Sequence, residues 1–217
     1  MSTKPDLMAM AEQERGELLT LLGELTPDQW RSPSLCAQWS VRDVAAHVVS
    51  YDELSTLTTV GTFLRGGLRT RSVNDVALAR YRDLTPDEVI DLLARNQRPH
   101  GLPSGFGGGI AVTDGTIHHQ DIRRALGMPR TIPADRLSAV LDFSLGAPTL
   151  SSKSNRKGLR LVANDIDWRS GDGPDVTGPG EALLMAVAGR PHALADLEGA
   201  GLPTLRERVA TAANQGW

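Results

Sequence analysis

The chain of 217 residues has little cysteine: Cys36 is the only one, so an internal disulfide bond is excluded. A lone thiol fits a reducing compartment, where disulfide frameworks are rare. A cysteine between a turn and a helix is typically a small packed residue, and this is how we interpret Cys36. A nucleophilic role for its thiol stays open as the alternative.

Long apolar runs and runs of basic residues are also missing. No stretch approaches the roughly 20 apolar residues that a membrane-spanning helix needs, and the first residues lack the basic and apolar regions of a signal peptide. The formal net charge is only -3, and no cluster of Lys or Arg suggests binding to nucleic acid. These absences predict a cytoplasmic protein that binds small molecules, and they leave a homodimer open.

What the sequence does contain is a helical apolar pattern over most of its length. Apolar residues recur with helical spacing from about 6 to 25, and three capping sequences mark further helix starts. Those three sequences begin at Thr26, Ser40 and Thr85, and the helix that follows Ser40 is predicted to continue to about Phe63. Trp30 is predicted to point inward. One further helix should end at Gly127, and another should begin near Pro133.

The pattern changes after about residue 148. Residues 158–163, 165–168 and 175–177 alternate with the two-residue period of strands, and helices are predicted over about 180–189 and 203–213. We therefore predict an α+β protein, with a helical domain in residues 1–148 and a small mixed α/β domain in residues 149–217.

Two distant segments together indicate a metal site. Asp114 and His118 are four residues apart and share one face of a helix, and His47 lies inside another, apolar helix. Two imidazoles and one carboxylate leave one position of a tetrahedral ion open, as in catalytic zinc sites. Taken singly, each of these residues has an ordinary alternative, namely a packed histidine or a solvated hydrogen bond on a helix.

The segments around these residues resemble the mycothiol-dependent maleylpyruvate isomerase family. The resemblance is carried by residues 39–47 (WSVRDVAAH), by residues 117–127 (IHHQDIRRALG), and more loosely by 158–168 and 178–190. It implies a DinB-like four-helix bundle followed by a small α/β domain. It also implies that His47, Asp114 and His118 bind a divalent ion, usually zinc, with the actinobacterial thiol mycothiol as cosubstrate. The isomerase looks to use Glu where this chain has Asp114, so the identity of the metal stays open.

Asp121 and His119 are further candidates on the same predicted helix. Asp121 follows His118 by three residues, so its carboxylate could orient the His118 ring or receive polar groups of the cosubstrate. The alternative is an exposed carboxylate that pairs with Arg124. His119 should point about 100° away from His118, which makes it a second-choice ligand.

The resemblance also implies an arginine in the C-terminal part that holds a substrate carboxylate. Arg190 is our candidate because residues 178–190 resemble the family, with Arg206 and Arg208 as alternatives. A surface position without a role in binding is the ordinary alternative for all three.

These features predict a metal-dependent thiol enzyme. A thiol with a pKa near roughly 8.5 is mostly protonated at neutral pH, and coordination to a divalent ion deprotonates it. The thiolate would be transferred to an electrophile or would add reversibly during a cis–trans isomerisation. A non-enzymatic bundle that binds a metal or a small molecule, and a metal-dependent hydrolase with Asp121 as general base, are the alternatives.

Overall fold

The computed structural model describes residues 5–36, 38–52, 74, 77–147 and 150–214. The chain divides into two compact units, Met1–Arg130 and Thr131–Trp217. Helices dominate both units, and the second also contains a small sheet, so the predicted α+β class is confirmed. The units divide at residue 130, whereas the sequence pattern placed the domain boundary at 148; that boundary between folding domains stays a prediction.

In its described residues, the first unit packs four helices into a bundle, namely α1 (Leu7–Glu24), α3 (Val41–Val48), α4 (Pro86–Arg95) and α5 (Gly109–Leu126). A short helix, α2 (Pro27–Arg31), precedes α3, and two 3-10 segments lie at Ala79–Tyr81 and Leu102–Gly108. Helices α1 and α3 each contact both α4 and α5, which gives the bundle its four sides. Their apolar faces meet in one core, where Trp30 is buried as predicted. No helix in the described parts of the chain is long and apolar enough to cross a membrane.

Local side chains begin and end these helices as the sequence predicts. The hydroxyl groups of Thr26, Ser40 and Thr85 each accept a hydrogen bond from the backbone N–H three residues on, and the side chain at that position accepts one in return. Such reciprocal capping satisfies backbone donors that have no partner inside the helix. Gly127 ends α5 in the left-handed conformation, at φ 64, which glycine adopts without steric cost.

The predicted continuation of α3 to about Phe63 is wrong, because the helix ends at Val48. In a longer helix the Val48 carbonyl would accept the N–H of Asp52, but it accepts Nη2 of buried Arg15 at 3.1 Å. The Asp52 carboxylate binds the same guanidinium, with oxygens at 2.8 and 2.9 Å. The chain therefore turns between residues 49 and 52. The remainder of the predicted helix, 53–63, lies outside the described residues.

The second unit combines helices with a three-stranded sheet. Its elements are α6 (Ala134–Gly146), α7 (Ser152–Asn155), β1 (Arg160–Ala163), β2 (Arg169–Ser170), β3 (Asp175–Gly178), α8 (Gly180–Val187), a 3-10 segment (Pro191–Asp196) and α9 (Leu202–Asn214). Strand β1 is central, antiparallel to β2 and parallel to β3. The predicted strand 165–168 is wrong, because Leu161 pairs with Ser170 and the intervening residues must turn the chain around.

Candidate metal centre

His47 lies in the last turn of α3. Ser40 caps the opposite end of this helix and so fixes where the helix begins. Its ring is buried, with 4% of the side chain exposed. The ring centroid lies 4.9 Å from that of Trp39 and 4.8 Å from that of His118, and the two imidazole planes are 82° apart. Two different helices therefore bring the two imidazoles together next to the indole ring of Trp39.

Asp114 and His118 lie one turn apart on α5 and face His47. Oδ1 of Asp114 is 3.4 Å from Nε2 of His118 and 3.8 Å from Nε2 of His47. The three candidate ligand atoms all lie within 4.8 Å of one another. Ligands bound tetrahedrally to zinc at about 2.0–2.1 Å are separated by about 3.3–3.4 Å, so a small inward movement would suit an ion. The structure thus brings the three predicted ligands to one place.

The charges at this centre favour a cation. Burial raises the pKa of the Asp114 carboxyl, but the imidazoles of His118 and His47 outweigh that effect and hold the pKa well below its usual value. Burial lowers the pKa of His118, but the charge of Asp114 and the hydrogen bonds to Asp114 and Asp121 raise it well above the usual value. A proton on His118 therefore occupies the place that a divalent ion would take.

Asp121 lies behind His118, on the other side of its ring. Oδ2 of Asp121 is 3.0 Å from Nδ1 of His118, and the Asp121 side chain is fully buried. Asp121 is thus not the exposed carboxylate of the alternative interpretation. A carboxylate that accepts the second N–H of an imidazole fixes the tautomer and the ring orientation of a metal ligand. Because Nδ1 faces Asp121, Nε2 is the His118 nitrogen that faces Asp114 and could bind an ion.

We predict that Asp121→Asn weakens divalent-metal binding by about 10–100-fold, the usual cost of losing such a supporting group. The amide still occupies the space, but it lacks the negative charge that makes the imidazole a stronger ligand. Calorimetric titration with zinc would measure the change. Asp91→Asn, at an exposed position on α4, is the matched control and should bind as the wild type does.

The same Asp121 oxygen accepts a second donor, the thiol of Cys36, at 3.0 Å. Cys36 Sγ also lies 3.5 Å from Nδ1 of His118. Cys36 packs against the bundle core, as expected for a small apolar side chain. Its interpretation as a packing residue was nevertheless incomplete, because its sulfur contacts two of the candidate site residues.

His119 points away from the centre, as its position on the helix predicts, and its ring nitrogens face other partners. Nδ1 lies 2.7 Å from Oε1 of Glu14, and Nε2 accepts a hydrogen bond from Arg123 Nε at 2.8 Å. Arg130 donates to the same Glu14 oxygen at 2.6 Å. Burial lowers the pKa of His119, which fits a neutral ring that donates through Nδ1 and accepts through Nε2. This network joins α1 to α5 next to the candidate centre.

Glu14 should make the stability of the protein depend on acid pH. Burial raises the pKa of Glu14, but the hydrogen bond with His119 and the charge of Arg130 outweigh it and lower the pKa from 4.5 to about 2. A carboxyl with a lowered pKa in the folded state contributes stability above the unfolded pKa, and the contribution is lost as the pH falls toward the folded pKa. The loss amounts to about 3 kcal/mol for this shift.

We therefore expect Glu14→Gln to be less stable than the wild type near neutral pH and to lose less stability than the wild type between about pH 5 and pH 2. Urea unfolding at a series of pH values would test this. Glu24→Gln changes an exposed carboxylate on the same helix and should keep the wild-type pH dependence. Equal slopes for the wild type and Glu14→Gln would contradict the assignment.

The candidate substrate arginine belongs to the second unit. Arg190 follows α8 and donates through Nη1 to the Ala188 carbonyl at 2.9 Å. Arg208 donates to the carbonyl groups of Asn155 and Lys157, at 2.9 and 2.6 Å, which suits a structural role. Arg206 is exposed on α9. A contact between Arg190 and a substrate stays a prediction.

Two aromatic residues border the centre and were missed as site residues. Trp39 packs on His47, and its ring centroid is 6.4 Å from that of His118. Tyr51 meets the His47 ring edge-on at 6.2 Å, and its hydroxyl donates to Oδ1 of Asn74 at 2.8 Å. Burial and the charge of Asp114 raise the pKa of Tyr51, so it stays a neutral donor. Trp39 stands within the segment that carries the family resemblance, whereas no pattern marks Tyr51.

Comparison with known proteins supports the resemblance seen in the sequence. Residues 11–98 match the family model of the mycothiol maleylpyruvate isomerase N-terminal domain. This segment contains His47, while Asp114 and His118 lie beyond its end. No curated protein matches the sequence.

Two solved structures share the fold. A crystal structure of a histidine-to-alanine mutant of the mycothiol-dependent maleylpyruvate isomerase is 17% identical, covers 92% of this chain and 96% of its own, and superposes with a TM-score of 0.61. A second crystal structure of the isomerase is also 17% identical, covers 88% of this chain and 92% of its own, and has a TM-score of 0.58. At this identity the likeness establishes the fold, and it extends over both units of the chain.

Proposed function

Because residues 11–98 carry the mycothiol maleylpyruvate isomerase N-terminal domain, we propose that this protein is a divalent-metal enzyme with mycothiol as cosubstrate. Zinc is the proposed metal. The reaction is S-transfer to an electrophile or a thiol-assisted cis–trans isomerisation. We favour S-transfer, because no residue of the chain specifies maleylpyruvate as the substrate.

The observation that carries this proposal is the convergence of His47, Asp114 and His118 with a carboxylate behind His118. The donor atoms are of the kinds that zinc binds, since they are two imidazole nitrogens and one carboxylate oxygen. These three atoms lie within 4.8 Å of one another. Three protein ligands leave one tetrahedral position for an exogenous group. A site of this composition suits a reactive centre better than a structural one.

A divalent ion bound there would lower the pKa of an approaching thiol, so that its sulfur could react as a thiolate at neutral pH. In S-transfer, sulfur bonds to the electrophilic carbon and either a leaving group departs or a neighbouring carbon takes up a proton. In isomerisation, the addition is reversed after rotation about the former double bond. The protein need not supply a nucleophile of its own for either outcome.

The residues of the chain have separate tasks in this scheme. Asp121 would accept a hydrogen bond from Nδ1 of His118, which would leave the lone pair of Nε2 available to bind the metal ion. Asp114 supplies a negative charge at a position that is 39% exposed, so an incoming cosubstrate can reach it. Trp39 covers one side of both imidazoles with apolar surface and limits the access of water there.

The hydrolase alternative is less well supported by the position of Asp121. A general base must come within hydrogen-bond reach of the water that it activates. The Asp121 carboxylate lies on the Nδ1 side of His118, so the imidazole ring separates it from an ion held by Nε2. Its task as a positioning residue fits this geometry better.

Arg190 is proposed to hold a carboxylate of the electrophilic substrate. We expect Arg190→Ala to raise KM for a carboxylate-bearing electrophile by about 10-fold or more, since a charge-assisted hydrogen bond contributes about 1.5–3 kcal/mol. Zinc affinity should stay unchanged. Arg169→Ala, which alters an exposed arginine on β2 that is not a candidate, is the control. Equal KM values for the wild type and Arg190→Ala would remove Arg190 from the mechanism.

Elemental analysis of the purified native protein, followed by calorimetric titration with mycothiol, tests the proposed function. About one divalent ion per chain and tighter binding of mycothiol than of a control thiol would support it. Metal without selective thiol binding would favour a metal-binding bundle instead. A protein purified without metal that also fails to bind added zinc would overturn the proposal.

A further inference from the structure

Behind the candidate centre lies a second group of metal-binding atoms. Cys36 Sγ is 3.0 Å from Oδ2 of Asp121 and 3.5 Å from Nδ1 of His118, and those two atoms are 3.0 Å apart. Around a tetrahedral ion with a sulfur ligand at about 2.3 Å and a nitrogen ligand at about 2.0–2.1 Å, the two ligands are separated by about 3.5 Å. The triangle of atoms therefore needs only a slight expansion to hold an ion.

The backbone holds Cys36 in this position. The N–H of Leu35 donates to the Asp121 carbonyl at 3.2 Å, which ties the loop before α3 directly to α5. Within the loop, Ser34 N–H donates to the Trp39 carbonyl and Trp39 N–H donates to the Cys36 carbonyl, both at 3.0 Å. Main-chain hydrogen bonds before and after Cys36 therefore hold its sulfur next to Asp121.

The chemistry of the three groups selects soft ions. A thiolate and a carboxylate together carry two negative charges, and thiolate ligands favour zinc, cadmium and other thiophilic metals over magnesium or calcium. Asp121 and His118 are buried, while Cys36 is half-buried. We propose that Cys36, His118 and Asp121 form a second metal site, specific for thiophilic divalent ions.

Occupation of this second site should exclude an ion from the first. A neutral imidazole carries one proton, and coordination through Nδ1 leaves that proton on Nε2, the atom that faces Asp114 and His47. Binding at the second site would release the thiol proton and the proton on Nδ1 of His118, and the proton that remains on the ring would lie on Nε2. One His118 therefore serves one ion at a time, and a thiophilic ion behind the ring would switch the first site off.

Cobalt titration of the metal-free, full-length protein tests the site by its spectrum, because a cysteine thiolate bound to Co²⁺ gives a charge-transfer band in the near ultraviolet. His47→Ala removes a ligand of the first site only, so this variant should bind one Co²⁺ per chain with the band. His47→Ala combined with Cys36→Ser should lack the band. If His47→Ala does not fold, Asp114→Asn, at a partly exposed position, makes the same test.

A folded His47→Ala or Asp114→Asn protein that binds no Co²⁺ through sulfur would overturn the proposal, and so would a band that survives Cys36→Ser.

Exclusion of an ion from the first site is tested by adding Cd²⁺ to the zinc-loaded wild type. We expect one zinc released for each cadmium bound, and at least tenfold more cadmium required in Cys36→Ser. Cadmium bound without zinc release would contradict the exclusion. Neither measurement involves mycothiol or enzyme activity, so the proposed function can fail independently.

Discussion

In a Cys36→Ser background, which removes the proposed second site, His47→Ala is expected to weaken zinc binding by more than about 100-fold, beyond the 10–100-fold that the loss of a supporting carboxylate costs. The histidine supplies one of three donor atoms and the only one that α3 contributes to the first site. Without it, Asp114 and His118 remain as a pair on one helix. Two ligands on adjacent turns of a helix hold an ion far less tightly than three that surround it.

Calorimetric zinc titration would measure this loss, and circular dichroism would show whether the helices persist. His100→Ala is the matched control, because His100 belongs to the same unit and has 55% of its side chain exposed. The control, in the same Cys36→Ser background, should bind zinc as Cys36→Ser alone does. A His47→Ala, Cys36→Ser protein with the zinc affinity of Cys36→Ser alone would disprove the ligand assignment.

Arg15→Met should lower the free energy of unfolding by about 3–5 kcal/mol, because breaking a buried ion pair leaves an uncompensated charge. Both partners are almost entirely buried, with 1% of Arg15 and 0% of the Asp52 carboxylate exposed. The same guanidinium donates to the carbonyl groups of Val48 and Asn96. Methionine fills similar space but leaves one carboxylate and two carbonyl oxygens without these donors.

The matched control is Arg98→Met, which removes an ion pair with Glu12 in which 70% of the arginine side chain is exposed. Exposed pairs contribute about 0.2–1 kcal/mol, so this variant should differ little from the wild type. Urea unfolding of both variants would show the difference. Similar losses for the two would mean that burial of the Arg15 pair adds nothing.

The parts of the fold that local chemistry determines could be predicted from the sequence. The caps at Thr26, Ser40 and Thr85 depend on residues within three positions, and the glycine at 127 ends its helix unaided. The end of α3 could not be predicted, because it depends on Arg15, 33 residues away in the chain. The local sequence favours a helix that continues beyond Val48. In the folded chain, however, the Val48 carbonyl accepts a hydrogen bond from the distant Arg15 guanidinium.

In the candidate site, too, local spacing could be predicted from the sequence and distant contacts could not. Asp114 and His118 are related by helical spacing, whereas their pairing with His47 on another helix was a hypothesis that the family resemblance strengthened. The contacts of Cys36 with His118 and Asp121 span 82 and 85 residues. A single cysteine has no spacing pattern, so its position beside the site is visible only in the folded chain.

The guanidinium of Arg15 has a kinetic consequence for the site. Helix ends normally fray, and His47 stands in the last turn of a helix only eight residues long. Because Arg15 on α1 binds the last carbonyl of α3 and the carbonyl of Asn96 just after α4, these two ends cannot open separately while it stays in place. Amide hydrogens around His47 should therefore exchange with solvent only in openings that separate three helices at once.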